Sequence, residues 1–395
     1  MAIILFEDNA HQTLLPLTYT RPVADLRIGI LTIAEKWGKH LNQTFSYHTR
    51  AYLQGKFALE ITADNLFING AYCPDGDLVE AIDKLQLGEA LKKGGVLIAA
   101  RLGKSDVEGF NASADFSRVF EYGGESVIIR HPEDIFRKND AELRKDFALL
   151  TKGRTSKTMS ATNTIIGNDF FAEDDADAEC CSFSTINGPI YLGKHTEVWE
   201  GTNIRGAFAL CGESQVKMGT KIYGATTIGP YCRVGGEINN AVMWGYSNKG
   251  HEGYLGNSVV GEWCNIGADS NNSNLKNNYA EVKLWDYTME SYRSTGLQFC
   301  GLIMADHVKC GINTMFNTGT VAGVGSNIYG AGFPPTHVPD FSWGGAQFGL
   351  QEYGFDKFME TTAKVFERRD HRKFDANEQG ILKEVFELTK KYRSY

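Results

Sequence analysis

Nine aliphatic residues recur at intervals of six in the middle of the chain: Ile186, Leu192, Val198, Ile204, Leu210, Val216, Ile222, Ile228 and Val234. Helices repeat near 3.6 residues and strands near 2, so this period predicts a β-solenoid of hexapeptides, each a short strand and a turn. The aliphatic residue of each hexad is expected to point into a shared interior. A glycine often follows it, as in Leu192-Gly193 and Ile228-Gly229, where the backbone has to bend tightly. A sandwich of irregular short strands is the alternative. The period breaks after Val234, resumes around Val260-Gly261 and Ile266-Gly267, and breaks again at a polar loop from Asp269 to Tyr279. It returns in a weaker register at Met304, Cys310, Phe316, Ala322 and Ile328. Interruptions of this kind mark loops that leave the stack, and such loops often form the binding face.

Before the solenoid the pattern alternates. Ala2 to Phe6, Asn65 to Ile68 and Val96 to Ala100 are apolar runs that suit buried strands. Leu26 to Trp37 and Leu78 to Leu91 carry apolar residues at helical spacing. Strands alternating with helices predict an α/β, Rossmann-like domain with a mostly parallel sheet, whose ligand site lies at the carboxyl ends of its strands, at Glu7-Asp8 and Asn69-Gly70. A charged helix from His131 to about Gly153 bridges to the solenoid, and the acidic stretch Glu173 to Glu179 reads as a solvated loop. After Phe333-Pro334-Pro335 two helical segments follow, 356–368 and 375–392, with Asp375 and Glu378 spaced as a capping box. They suit the capping that an open solenoid end requires. The domain boundaries expected are therefore 1–155 for the α/β domain with its bridging helix, 156–185 for a linker, 186–335 for the solenoid and 336–395 for the helical extension.

Composition adds little to this picture and excludes some of its alternatives. The 395 residues are 42% hydrophobic and 22% charged, as in an ordinary globular protein. A net charge of −8 argues against nucleic acid as a main partner. The first residues turn acidic at Glu7, which does not suit a signal peptide, and no apolar run reaches membrane length; the cytoplasm is the expected location. The eight cysteines contain no Cys-x-x-Cys pair and read as small buried hydrophobes.

The most suggestive polar cluster is Ser247-Asn248-Lys249-Gly250-His251-Glu252-Gly253-Tyr254. A histidine between glycines on an exposed loop suits a general base; taken alone, His251 reads as a surface histidine, and it is the surrounding constellation that points to function. Asn265 lies one coil fragment later and Asn274 within the polar excursion, and such amides suit a hydroxyl-rich, phosphorylated ligand. A zinc site of three histidines is not expected, because His195, His251 and His307 stand far apart. In the first domain Arg21 and Arg27 bracket a turn that opens a helix, a geometry able to clamp phosphate. No Walker motif or dinucleotide fingerprint occurs.

An α/β domain followed by a hexapeptide solenoid resembles the bifunctional enzymes that make UDP-N-acetylglucosamine (the GlmU-like group), and especially a divergent bacterial branch of sugar nucleotidyltransferases. The motifs that carry the resemblance are Arg21-Pro22-Val23-Ala24-Asp25-Leu26-Arg27, His131-Pro132-Glu133-Asp134-Ile135-Phe136 and Phe341-Ser342-Trp343-Gly344-Gly345. The resemblance implies a left-handed parallel β-helix assembled as a homotrimer, using acetyl-CoA as acyl donor for an amino-sugar-1-phosphate. It gives His251 the role of catalytic base and places Asn274 beside the substrate amine. Arg233, Tyr254 and Lys283 match positions that hold the sugar phosphate, and Asn265 matches a substrate-binding position. For the first domain it implies a nucleoside triphosphate, a sugar-1-phosphate and Mg²⁺; among the residues present, Arg21, Arg27, Asn69 and Gly70 are the candidates for the phosphates and Asp8 for the metal. Two departures stand out. Asn239-Asn240 replaces a pair of lysines, and Phe6-Glu7-Asp8-Asn9 replaces the glycine-rich first loop, with Asn69 where a metal-binding aspartate is usual. A chain with one catalytic domain, or a non-catalytic sugar-nucleotide-binding trimer, are the alternatives.

Overall fold

The computed structural model describes residues 1–107, 110, 116–369 and 372–395. Two compact units emerge. One comprises Met1–Leu26, Leu31–His131 and Ala376–Ile381; the other comprises Arg27–Ile30, Pro132–Asp375 and Leu382–Tyr395.

The first unit is built on a six-stranded sheet. Ala2–Phe6 lies between Phe45–His48 and Asp64–Asn69 and runs parallel to both. The apolar run predicted at Val96–Ala100 is the strand Val96–Gly103, antiparallel to its neighbours. Two helices differ from the expected spans. Gly29 sits at φ +73°, so the chain stays irregular through that turn. The helix then starts at Ile33, where Thr32 and Glu35 form a capping box, and runs to Leu41. The second, Gly76–Asp83, stops before Glu89–Lys93, which forms a strand. Apolar spacing in that window was shared by the end of a helix and one face of a strand.

The second unit is a parallel β-solenoid with faces of nine, ten and six strands. Its interior is a set of stacked columns: Phe183, Ile204, Ile222, Ile238 and Leu255 pair in register on one face. Leu192, Leu210, Ile228, Met243 and Val260 do so on another. Burying each such side chain is worth roughly 1.5–3 kcal/mol, so the repeated column is the main source of stability. Eight of the nine six-spaced aliphatics are buried, from Leu192 at 0% exposure to Val198 at 2%. Ile186 is the exception, 69% exposed in a turn. The later register holds, with Met304, Cys310, Phe316, Ala322 and Ile328 all in the core. Strand pairing already begins at Thr164–Ile166, so the stretch expected as linker supplies coil, and the acidic segment contains the strand Asp177–Ala178.

One face and one edge carry a cover. The helix Pro132–Thr151 lies on the nine-stranded face, packing Leu143 and Phe147 against Phe171, Tyr191 and Ala209. The polar excursion is longer than its sequence suggested. Asn271–Asn272 still pairs with Met315–Phe316, and the chain then leaves the stack until Leu302, forming a hairpin of Lys283–Asp286 and Ser291–Ser294. Arg293 of the hairpin holds Glu133 at 2.7 Å and Asp286 at 3.1 Å. On one edge, Tyr231, Tyr246, Trp263 and His307 all sit at φ between 53° and 64° and their rings form a ladder. Phe366 of the helix Phe355–Arg369 stacks on Trp263 at 3.9 Å, which seats the predicted terminal helix. The second terminal helix runs Ala376–Leu388, shorter than expected. Among the described residues no helix is long and apolar enough to cross a membrane. The eight cysteines are thiols, and only Cys180 is exposed.

Candidate functional site

The period break after Val234 has a structural cause. From Val216 to Ile222 the chain takes six residues to turn a corner, but from Val234 to Ile238 it takes four. The short corner is Gly235-Gly236, with Gly236 at φ +80°. The next corner, Gly250-His251-Glu252-Gly253, has the full length again and overhangs it. Both glycines are required by the closeness of the two turns: a Cβ on Gly235 would meet Gly250 O at 2.7 Å, and one on Gly236 would meet Gly253 O at 2.8 Å. Lys221 and Glu252 pair across the resulting step at 3.6 Å.

His251 occupies this step, exposed, and its ring has no hydrogen bond or ion pair among the described residues. Beyond it, on the six-stranded face, four further side chains converge. Asn274 Nδ2 donates to the Tyr254 hydroxyl at 2.9 Å and to Asn257 Oδ1 at 2.7 Å. Asn239 Nδ2 donates to the same hydroxyl at 3.4 Å. Both Asn274 N–H groups are thus spent, leaving its carbonyl oxygen as the available atom, while the Tyr254 hydroxyl accepts twice and keeps its own proton to donate. Asn271 and Asn272 fix the strand beneath, accepting from the N–H of Tyr254 at 2.7 Å and of Gly256 at 2.9 Å.

His251, Tyr254 and Asn274 are therefore brought to one corner and face. The other residues named from sequence lie elsewhere. Arg233 and Asn265 point outward from the ten-stranded face, in one column with Asn248 between them. Arg233 donates to the carbonyls of Glu213 at 2.8 Å and Cys232 at 3.0 Å, beside a cleft of about 340 Å³ that His195, Glu197 and Gln215 also line. Lys283 is exposed on the hairpin. Within one chain these three do not join the His251 corner. The rings of the edge ladder, Tyr231, Tyr246, Trp263 and His307, follow no regular interval in the sequence, and no hexad rule assigns them to a common edge.

In the first unit the carboxyl ends of the strands are occupied by the chain itself. Glu7 accepts from Val23 N at 3.0 Å and Thr49 Oγ1 at 2.7 Å, and His11 Nδ1 lies at 3.2 Å. Burial pushes its carboxyl up, but the His11, Thr49 and Val23 contacts outweigh it and the net displacement is downward. Asp8 accepts from Ala10 N at 2.8 Å with one oxygen and from Asn69 Nδ2 at 2.9 Å with the other. Arg21 is 4% exposed and pairs with Asp25 at 3.2 Å. Arg27 groups with the solenoid unit and its guanidinium donates to the carbonyl of Ile30. Gly70 is backed by the turn through Ala24, where a Cβ would lie 2.7 Å from the Ala24 Cβ. Among the described residues no three His, Cys, Asp or Glu side chains gather as metal ligands, and with both oxygens of Asp8 already accepting, these residues do not fit a preformed Mg²⁺ site.

Residues 3–155 match the sugar nucleotidyl transferase family. No curated protein matches the chain. Among solved structures, the UDP-N-acetylglucosamine acyltransferase of Francisella novicida is 12% identical, with 59% of this chain and 87% of that one covered at a TM-score of 0.31. The Arabidopsis UDP-N-acetylglucosamine acyltransferase is also 12% identical, covering 60% and 94% at 0.25. A point mutant of AntD, an N-acyltransferase from Bacillus cereus in complex with dTDP-4-amino-4,6-dideoxyglucose and coenzyme A, is 12% identical, covering 52% and 90% at 0.23. The family match thus covers the N-terminal part of the chain alone.

Proposed function

We propose, given an N-terminal domain that matches this family, that the solenoid transfers an acetyl group from acetyl-CoA to the amine of an amino-sugar-1-phosphate. The first domain then joins the acetylated sugar-1-phosphate to a nucleoside triphosphate, releasing pyrophosphate, with UDP-N-acetylglucosamine as the product favoured. The observation that supports the solenoid's role is the exposed, unengaged imidazole of His251 at the step, beside a hydrogen-bonded Tyr254 and Asn274. His251 takes a proton from the amine as its nitrogen attacks the thioester carbonyl. The tetrahedral centre collapses, the C–S bond breaks, and the coenzyme A thiolate leaves with the proton. Asn274 receives the substrate N–H on its carbonyl oxygen, and the Tyr254 hydroxyl donates to a phosphate or hydroxyl. Since the Asn274 N–H groups are engaged, backbone N–H groups of the corner supply the oxyanion contact.

A homotrimer belongs to this reading, since Arg233, Asn265 and Lys283 lie on other faces of the prism and reach a His251 corner only from adjoining copies. One further reading is favoured by a specific observation. The engagement of Glu7, Asp8 and Arg21 within the chain supports a first domain that binds a sugar nucleotide without turning it over.

Separate assays decide between them. Release of free thiol from acetyl-CoA in the presence of an amino-sugar-1-phosphate, lost in His251→Ala, is expected. Full activity of that variant overturns the role of the histidine. Pyrophosphate release with Mg²⁺ and a nucleoside triphosphate establishes the bifunctional form; nucleotide binding by calorimetry without release leaves the solenoid as the single catalyst. Binding with neither turnover reduces the protein to a non-catalytic trimer.

A further inference from the structure

Lys249 stands where the solenoid elsewhere places an aliphatic residue. Val198, Val216 and Val234 precede it in register, and Ile266, Cys310 and Ile328 occupy the same column in later coils. It is 2% exposed. An ammonium group placed in an apolar prism is strongly disfavoured unless its protons are bonded. Here Nζ donates to the carbonyl of Gly235 and to that of His251, each at 2.9 Å. One carbonyl belongs to the shortened corner and the other to the corner that overhangs it, and neither accepts a backbone N–H among the described residues. Burial lowers the lysine pKa to about 8, against the raising influence of Glu252, Asp269 and Cys310, while Lys221 adds to the lowering.

The geometry points to Lys249 as the positioning residue of this site: its buried ammonium ties the His251 carbonyl to that of Gly235 and so fixes the direction in which the imidazole leaves the step. A tether is needed there because Gly250 and Gly253, the latter at φ +118°, flank the histidine and leave its corner many backbone conformations. This inference rests on the reading of His251 as general base. The Asp269 N–H holds the Glu252 carbonyl of the same corner at 3.0 Å, but the carbonyls of Gly235 and His251 are met by Lys249.

Lys249→Met keeps the chain length and restores an apolar column, so the fold is expected to survive with an unchanged or higher Tm. In that variant kcat for acetyl transfer should fall roughly 10–100-fold with KM for both substrates within about threefold, the mark of a misplaced group rather than a lost binding contact. Amide hydrogen exchange at Gly250–Gly253 should quicken roughly tenfold while the strand Tyr254–Gly256 stays protected. Combined with His251→Ala, Lys249→Met should add no further loss, because it acts through that residue. Unchanged kcat with unchanged exchange overturns the proposal, and so does an additive loss in the double variant. If His251→Ala alone keeps full activity, the acetyl-transfer reading fails, and the exchange measurement still decides whether Lys249 tethers the corner.

Discussion

The two units treat their polar residues in opposite ways. At the carboxyl ends of the strands in the first unit, Glu7, Asp8, Asn69 and Arg21 satisfy one another and the neighbouring backbone. At the corner of the solenoid, His251 is left unengaged, and Tyr254 and Asn274 each keep one atom free. Residues chosen by the same chemical criteria thus serve the fold in one place and are available to a ligand in the other. A polar cluster indicates a site only by the donors and acceptors that remain after the chain has used its own.

The largest expected effect tests the open side of that contrast. His251→Ala should reduce acetyl transfer by roughly 10²–10⁴-fold, the usual contribution of a positioned general base, with the Tm unaltered because the side chain is exposed. On the closed side, Glu7→Ala should cost the first unit about 3 kcal/mol in urea unfolding, since it strands His11, Thr49 and Val23 N in a buried setting. It should leave acetyl transfer alone; a loss of nucleotide affinity with no loss of stability would instead make Glu7 a ligand-binding group. Asn274→Ala should lower acetyl-transfer kcat/KM about tenfold, by removing the acceptor and loosening Tyr254. A loss no larger than that of Asn203→Ala, an exposed asparagine of the strand Asn203–Arg205, would remove Asn274 from the site.

A further effect is one of pH. The unfolded chain holds the Lys249 proton up to its ordinary value of 10.5, whereas the folded chain releases it near 8. Between those values the unfolded state binds more protons, so this group makes stability rise with pH, by at most about 1.4 kcal/mol per pH unit. The cost of the buried charge is fully present below pH 8. The difference in unfolding free energy between the native chain and Lys249→Met, followed across that interval, should narrow as pH rises; a constant difference would mean that the lysine is solvated as it is in the unfolded chain.

Much of the solenoid was legible because its interior repeats. Every buried leucine, isoleucine and valine from Leu192 to Val234 obeys the interval, and Ile186, at the start, falls outside it because it lies in a turn. The first unit was harder to read. The window from Leu78 to Leu91 places apolar residues on the inner side of both the helix Gly76–Asp83 and the strand Glu89–Lys93, so its spacing does not separate them. The helix predicted from Leu26 fails at Gly29 for a reason outside the window. The backbone N–H of Gly29 bonds Asn139 at 2.7 Å and that of Ile30 bonds Asp146 at 2.7 Å, both on a helix more than a hundred residues away.

Short-range spacing and residue chemistry were enough to establish the period of six, the place where that period fails, and the histidine, tyrosine and asparagine near the failure. Which polar groups remain available was settled by the folded chain alone. That outcome depends on distant partners: Val23 and Thr49 for Glu7, Asn69 for Asp8, and for Lys249 the two carbonyls brought together by a corner two residues short. Hydrogen-bond satisfaction is a property of groups that meet in space, and sequence spacing carries it only where the chain repeats.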